Sequence, residues 1–144
     1  MPAVALPAEA VRPLRHAVLR PHQGVEELVY EGDADPLTLH AGCLVDGQVV
    51  GVATVAPQPH PADPQPGDWR LRGMATLPAH RGRGHGAELL ACCLAHAREH
   101  VGRRVWCNAR TPVLGFYERF GFTADGEEFD LPDLGSHVVM SVRV

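Results

Sequence analysis

Gly73-Met74-Ala75-Thr76-Leu77-Pro78-Ala79-His80-Arg81-Gly82-Arg83-Gly84-His85-Gly86-Ala87 changes character twice along its length. It opens as the end of an extended run, Trp69 to Thr76, which Leu77-Pro78 breaks. A glycine-rich turn follows, and then the clearest helix of the chain, Gly86 to His100. Leu89, Leu90, Cys93, Leu94 and Ala97 recur there at helical spacing as a buried stripe, and Gly102 is placed as a stop. A strand therefore runs through glycines into a helix start. The first turn of a helix has unpaired N–H groups, and its aligned peptide dipoles add about half a positive charge. Such an end suits anionic phosphate. Glycine lets the backbone approach a ligand closely, and Arg81 and Arg83 add formal charge at the rim.

The segment restricts the phosphate ligand without naming it. A P-loop needs a Gly-Lys-Ser/Thr ending, which is missing. The dinucleotide pattern G-x-G-x-x-A does fit Gly82 to Ala87, so a nicotinamide ligand stays open on this segment alone. Its position argues against it. That fold places the turn after its first strand with an acidic residue about 20 residues on, whereas here Cys107 stands in that region and no carboxylate follows it until Glu118. A glycine-rich turn without any ligand is the plain structural alternative.

Outward from this segment the chain alternates strands and helices. Val4 to Leu6 reads as a short strand, and Ala8 to Leu19 as a helix with Pro13 inside it, kinked or starting late. His22 to Pro36 reads as a loop. Leu39 to Val45 and Val49 to Val55 flank Asp46-Gly47, a strong hairpin signal. Ala56 to Asp68 carries Pro57, Pro59, Pro61, Pro64 and Pro66, which no regular element tolerates, so an exposed loop is expected. Val105 to Asn108 reads as a buried strand, and Pro112 to Phe120 as a short helix. Phe122 to Phe129 and His137 to Val144 read as two last strands. No repeat or domain boundary is visible, so residues 1–144 read as one α/β domain with a sheet of mixed strand direction.

Bulk properties agree. The chain has 144 residues, 45% hydrophobic and 21% charged, with a net charge of -4. A length of this order buries enough surface for a core without staples. An acidic balance argues against nucleic acid as a partner. Cys43, Cys92, Cys93 and Cys107 form no C-x-x-C pair, so metal-ligand spacing is absent and free thiols in a reducing compartment are expected. His96 and His100 stand at i, i+4 without a third ligand nearby, so no metal is expected. Met1-Pro2-Ala3-Val4-Ala5-Leu6-Pro7 is short, broken by proline and lacks a basic leader, unlike a secretory signal. No apolar run approaches a membrane span. A cytoplasmic protein with no membrane partner is the expectation.

Two stretches together resemble a known family. Arg81-Gly82-Arg83-Gly84-His85-Gly86 matches the Arg-x-x-Gly-x-Gly/Ala signature of the GNAT superfamily of acyl-CoA N-acetyltransferases. Trp106-Cys107-Asn108-Ala109-Arg110 and Gly115-Phe116-Tyr117-Glu118-Arg119-Phe120-Gly121-Phe122 look like that family's next strand and short helix. The match covers most of the chain from Leu39 onward. It implies a mostly antiparallel central sheet flanked by helices, acetyl-CoA as acyl donor, and an amine acceptor attacking the thioester directly. Residue by residue, it implies that the backbone of Met74, Ala75 and Thr76 pairs with the pantetheine arm. It implies that the amides from Gly82 through Arg83, Gly84, His85 and Gly86 to Ala87 hold the pyrophosphate. Asn108 would sit beside the pantetheine, where two parallel strands splay, and Tyr117 would protonate the leaving thiolate.

Some roles stay open. The base is unassigned, with Glu127, His40 and His137 as candidates. Many relatives have asparagine where Arg110 stands, which leaves Arg110 without an inherited role. Arg70 and Arg72 alternate with Trp69, Leu71 and Gly73 and so share one strand face. The expectation is an edge or solvent-facing pair bonded to Glu127 or Asp130; the other reading is recognition of an anionic group on the acceptor. The acceptor pocket is expected from the loops His22 to Pro36, Ala56 to Asp68 and Asp130 to Ser136. A non-catalytic acyl-CoA-binding or regulatory module is the alternative function, and a homodimer is left open.

Overall fold

The computed structural model describes residues 3–144; Met1 and Pro2, the start of the apolar N-terminal stretch, lie outside the described residues. Eight strands form one sheet in the order β1-β2-β3-β4-β5-β8-β6, with β7 also on β8. They are β1 (Val4–Leu6), β2 (Leu39–Val45), β3 (Gln48–Pro57), β4 (Asp68–Thr76), β5 (Arg104–Arg110), β6 (Thr123–Ala124), β7 (Phe129–Leu131) and β8 (Gly135–Arg143). Every pairing is antiparallel except β4 with β5. The mixed, mostly antiparallel α/β sheet matches the expectation.

Helix α2 (His85–Glu99) connects the two parallel strands, as a parallel pair requires a crossover. It buries Leu89, Leu90, Cys93 and Ala97 against Val50, Trp69, Leu71, Val105 and Cys107 of the sheet. Each buried leucine stabilises the fold by about 2 kcal/mol, so the stripe outweighs any single cap. The other face carries the N-terminal helical run, residues 8–19. Its first turn is 3-10 (Ala8–Val11), its middle is α1 (Arg12–Leu14), and its end is a wider π turn (Arg15–Leu19). Pro13 falls within the first residues of α1, where a missing N–H removes no helical bond. Helix α3 (Leu114–Glu118) follows a 3-10 turn over Thr111–Val113.

Two expectations are corrected. Phe122 to Phe129 is not one strand: it splits into β6 and β7, with Gly126 at φ +142° between them. Asp125 anchors the break, its N–H donating to the Val139 carbonyl at 2.8 Å. The loop between β3 and β4 is not simply exposed. His60 is buried, packs 5.8 Å from Trp106, and shares a contact with Asp125 at 3.2 Å. Its Nδ1 accepts the N–H groups of Ala62 and Asp63, which makes Nε2 the donor toward Asp125.

Candidate active site

The parallel pair is short. Only Asp68, Trp69 and Arg70 pair with Arg104, Val105 and Trp106. Beyond them the strands part, and the β5-facing edge of β4 from Leu71 onward carries no strand partner among the described residues. Part of the reason is a bulge. Thr54 pairs with Arg72 and Val52 with Ala75, so β4 spends one more residue than β3 across this interval. Gly73 sits in it at φ +63°. A Cβ there would stand 3.1 Å from Arg15 Nε and 3.3 Å from the Tyr30 ring, so position 73 favours glycine on both conformation and space.

The split opens into a cavity of about 880 Å³. Met74, Ala75, Thr76, Arg81, Gly82, Gly84, His85, Gly86, Ala87, Asn108 and Tyr117 all line it. Of the residues expected to hold the cofactor, Arg83 alone does not; it is exposed. Gly84 is the N-cap of α2 at φ +85° with no side-chain cap, and Gly82 has φ +77°. A Cβ at either would meet nothing within 4 Å, so the turn leaves open space against the first helical amides. The first bond of α2 runs from the Glu88 N–H to the Gly84 carbonyl, leaving the amides of the preceding residues for a ligand. Arg81 folds back, with Nε donating to the Thr76 carbonyl at 3.2 Å.

Tyr117 is buried, with its ring edge-on to Phe116 and Phe122 at 5.2 and 5.4 Å. Burial pushes its phenol well above the ordinary tyrosine value, with Cys107 adding and Arg110 opposing. The oxygen therefore stays protonated and available as a donor. Burial likewise raises the Cys107 thiol to about 12, so that cysteine is no nucleophile at neutral pH. All four cysteines are free.

The three base candidates separate clearly. His40 is buried; its Nε2 donates to the Asp33 carbonyl at 3.1 Å and its Nδ1 accepts from the Thr54 hydroxyl at 2.8 Å. Both nitrogens are used, and it does not line the cavity. Glu127 is exposed and lies outside the cavity lining. His137 lines the cavity, and its Nδ1–H donates to the Gly135 carbonyl at 2.8 Å, which leaves the lone pair on Nε2.

Two of the three loops expected around the acceptor do line the cavity, the first through Tyr30 and the last turn through Leu131 and Leu134, whereas Val18, Leu19 and Arg20 at the end of the N-terminal helical run carried no sequence signal. The proline-rich loop supplies none, contrary to expectation. Asp68 holds it at the paired end of β4 and β5, accepting the N–H groups of His60 and Gln65 at 3.1 and 2.8 Å. Arg70 and Arg72 correct a second expectation. They line the cavity, and neither forms an ion pair with Glu127 or Asp130. Cys43, His85 and Glu88 bring ligand atoms within 4.8 Å of one another, a juxtaposition of β2 with α2 that spacing in the sequence does not reveal. The Cys43 thiol donates to the His85 carbonyl and toward Glu88 Oε2, which accounts for their closeness.

Comparison with known proteins fits this geometry. The model of the acetyltransferase (GNAT) family matches residues 8–122. A curated relative, the uncharacterized N-acetyltransferase YitI of Bacillus subtilis (strain 168), is 39% identical over 127 residues, 88% of this chain and 85% of the relative. Among solved structures, Escherichia coli ElaA superposes with a TM-score of 0.75 at 20% identity, covering 92% of this chain and 86% of that one. An aminoglycoside 6'-N-acetyltransferase complexed with coenzyme A superposes with a TM-score of 0.76 at 13% identity, covering 99% and 97%. The chain belongs to the GNAT family of acetyltransferases and is an enzyme of the acyltransferase class.

Proposed function

We propose that the protein transfers the acetyl group of acetyl-CoA to an amine acceptor by direct attack, without an acyl-enzyme. The observation that carries this reading is the cavity between the parted ends of β4 and β5, floored by an uncapped helix start with two positive-φ glycines. Amides from Gly82 to Ala87 would bind the pyrophosphate, and the unpartnered edge of Met74, Ala75 and Thr76 would pair with the pantetheine arm as an added strand. Asn108, half-buried on the facing strand, would fix that arm from the other side. Acetyl-CoA would supply a thioester carbonyl at the split.

The chain's own groups then divide the proton work. An amide near Met74 would donate to the carbonyl oxygen as negative charge develops on it. Tyr117 would hold its proton at the phenol oxygen and deliver it to the sulfur as the C–S bond breaks. His137 Nε2 would take the proton that the amine nitrogen loses, since the residue lines the cavity and its tautomer leaves that atom as the acceptor. The four free thiols fit work in the reducing cytoplasm.

Calorimetry with acetyl-CoA on wild type and Gly84→Glu tests this reading, with thermal melting to confirm folding. Binding by wild type and its loss in a folded variant is the expected result, because the new carboxylate would occupy the space over the helix start. Equal binding by both would remove the turn from the cofactor site. No binding by wild type would refute the donor.

A further inference from the structure

Buried arginines in this chain are treated in two ways. Arg15, fully buried, donates to the two oxygens of Asp33 at 2.6 and 3.0 Å, and also to the Leu28 carbonyl and the Thr54 hydroxyl. Arg104 donates to the two oxygens of Asp68 at 2.8 and 3.0 Å. Each guanidinium removed from water is met by a carboxylate in fork geometry, as the desolvation of a charge demands.

Arg70 and Arg72 break that pattern. Both are half-buried on β4 and line the cavity, yet no carboxylate pairs with either among the described residues. They lie against aromatic rings, Arg70 4.9 Å from the Trp106 centroid and Arg72 4.0 Å from that of Tyr30, a ring Arg15 also covers at 3.9 Å, but they lack the carboxylate that Arg15 has. Arg70 Nε is buried without a hydrogen-bond partner, as Arg15 Nε is, but the other nitrogens of Arg70 find no carboxylate among the described residues. Arg20 joins the same wall, 5.7 Å from the Tyr30 centroid. Exposed Glu31 acts on Arg70 only through space. Burial, and then the charge of Arg70, pull Arg72 down to about 10.

We propose that Arg70 and Arg72 receive an oxyanion on the acceptor, a carboxylate or phosphate borne by the same molecule as the acetylated amine. The rings hold each guanidinium without accepting its N–H groups in a carboxylate fork, which leaves N–H groups for a planar or tetrahedral oxyanion. The pair lies on β4 before the Gly73 bulge, whereas the Met74–Thr76 edge and the glycine turn lie after it. The positive wall therefore serves the acceptor side and not the cofactor phosphates, which have their own amides. Such recognition presupposes the acetyl transfer proposed for the same cavity.

Matched amines differing only in the anionic group test it: β-alanine against its amide, and O-phosphoethanolamine against ethanolamine. The anionic member of one pair should be preferred about 10²-fold in kcat/KM, and the pair that responds tells carboxylate from phosphate. Arg72→Gln should raise KM for that amine about 10²-fold while the acetyl-CoA Kd is unchanged, and Arg72→Lys should recover part of the loss. Preference for the neutral members, or loss of acetyl-CoA affinity in Arg72→Gln, overturns the proposal. A second readout needs no turnover. Succinate or inorganic phosphate should raise the melting temperature of the CoA-saturated protein, and fail to do so in the Arg70→Gln/Arg72→Gln double variant. No rise in wild type, or an equal rise in the double variant, overturns the anion site even if acetyl transfer is real. Failure of wild type to bind acetyl-CoA would instead sink the transferase reading, and the same melting comparison run without CoA would then judge the arginines.

Discussion

Strands β4 and β5 hold together at one end and part at the other, and the two ends are built from opposite uses of the same residue types. At the paired end Asp68 stands in register with Arg104 and is bonded to it twice, with both side chains buried. Asp68 also accepts two loop amides, and Arg104 reaches Asp63, so charge and hydrogen bonding are closed locally. Where the strands part, Arg70 at the last paired position and Arg72 beyond it lie against aromatic rings with no carboxylate, Tyr117 lines the opening, and the first amides of α2 lack a cap. The closed end resists opening. The open end leaves its hydrogen-bonding capacity for ligands. Unpaired buried groups cost about 1–3 kcal/mol each, so a concentration of open hydrogen-bonding capacity at one opening points to a binding site.

The sharpest way to break this contrast is to open the closed end. Arg104→Ala leaves Asp68 buried and uncompensated, and should destabilise the fold by about 3–5 kcal/mol in chemical denaturation. Acetyl-CoA affinity of the fraction still folded should be unchanged. A large loss of affinity at unchanged stability would mean the two ends are not separate in function.

At the open end, Tyr117→Phe should lower kcat about 10²-fold with little change in stability or in acetyl-CoA binding. Because burial raises the phenol, the wild-type rate should also hold up at alkaline pH beyond the ordinary tyrosine range. A variant as fast as wild type would make Tyr117 a packing residue alone.

Acid sharpens the comparison further. Burial by itself would raise the Asp68 carboxyl, but the Arg104 bonds and the amides of Gln65 and His60 outweigh it and hold the group at about 2, against an ordinary 3.8. The unfolded chain takes up this proton first, so the contribution is complete above about pH 4 and is lost as pH falls toward 2. Asp33, lowered in the same sense by Arg15 against the effect of burial, adds to the loss. In Asp68→Asn the slope of stability between pH 4 and 2 should be shallower than in wild type, although the variant starts less stable at pH 7. An unchanged slope would show that Asp68 is not held by the clamp. The smallest effect is expected at Glu127, exposed and outside the cavity: Glu127→Gln should change kcat/KM by less than about two-fold.

Much of the open end was legible in the sequence because it is local. A strand, a glycine turn and a helix start lie consecutively in Gly73 to Ala87, and their chemistry follows from backbone geometry. Asn108 and Tyr117 were reachable through family resemblance, and both face the cavity. His137 was only one name among three, since a tautomer depends on the Gly135 carbonyl and not on composition. The long strand expected over Phe122 to Phe129 failed because Asp125 is held by residues far along the chain, His60 and Val139.

By itself the sequence determined the order of the elements, the hairpin at Asp46-Gly47, the amphipathic stripe of α2 and the glycine turn. Each rests on contacts within a few residues, where spacing encodes geometry. Only the tertiary structure decided which arginines meet carboxylates. Arg15 finds Asp33 and Arg104 finds Asp68 across packed elements, while Arg70 and Arg72 find Trp106 and Tyr30. Pairing of charges is a property of distance in space, and four arginines that look alike in the chain differ in their surroundings because two meet carboxylates across packed elements and the other two line the opening.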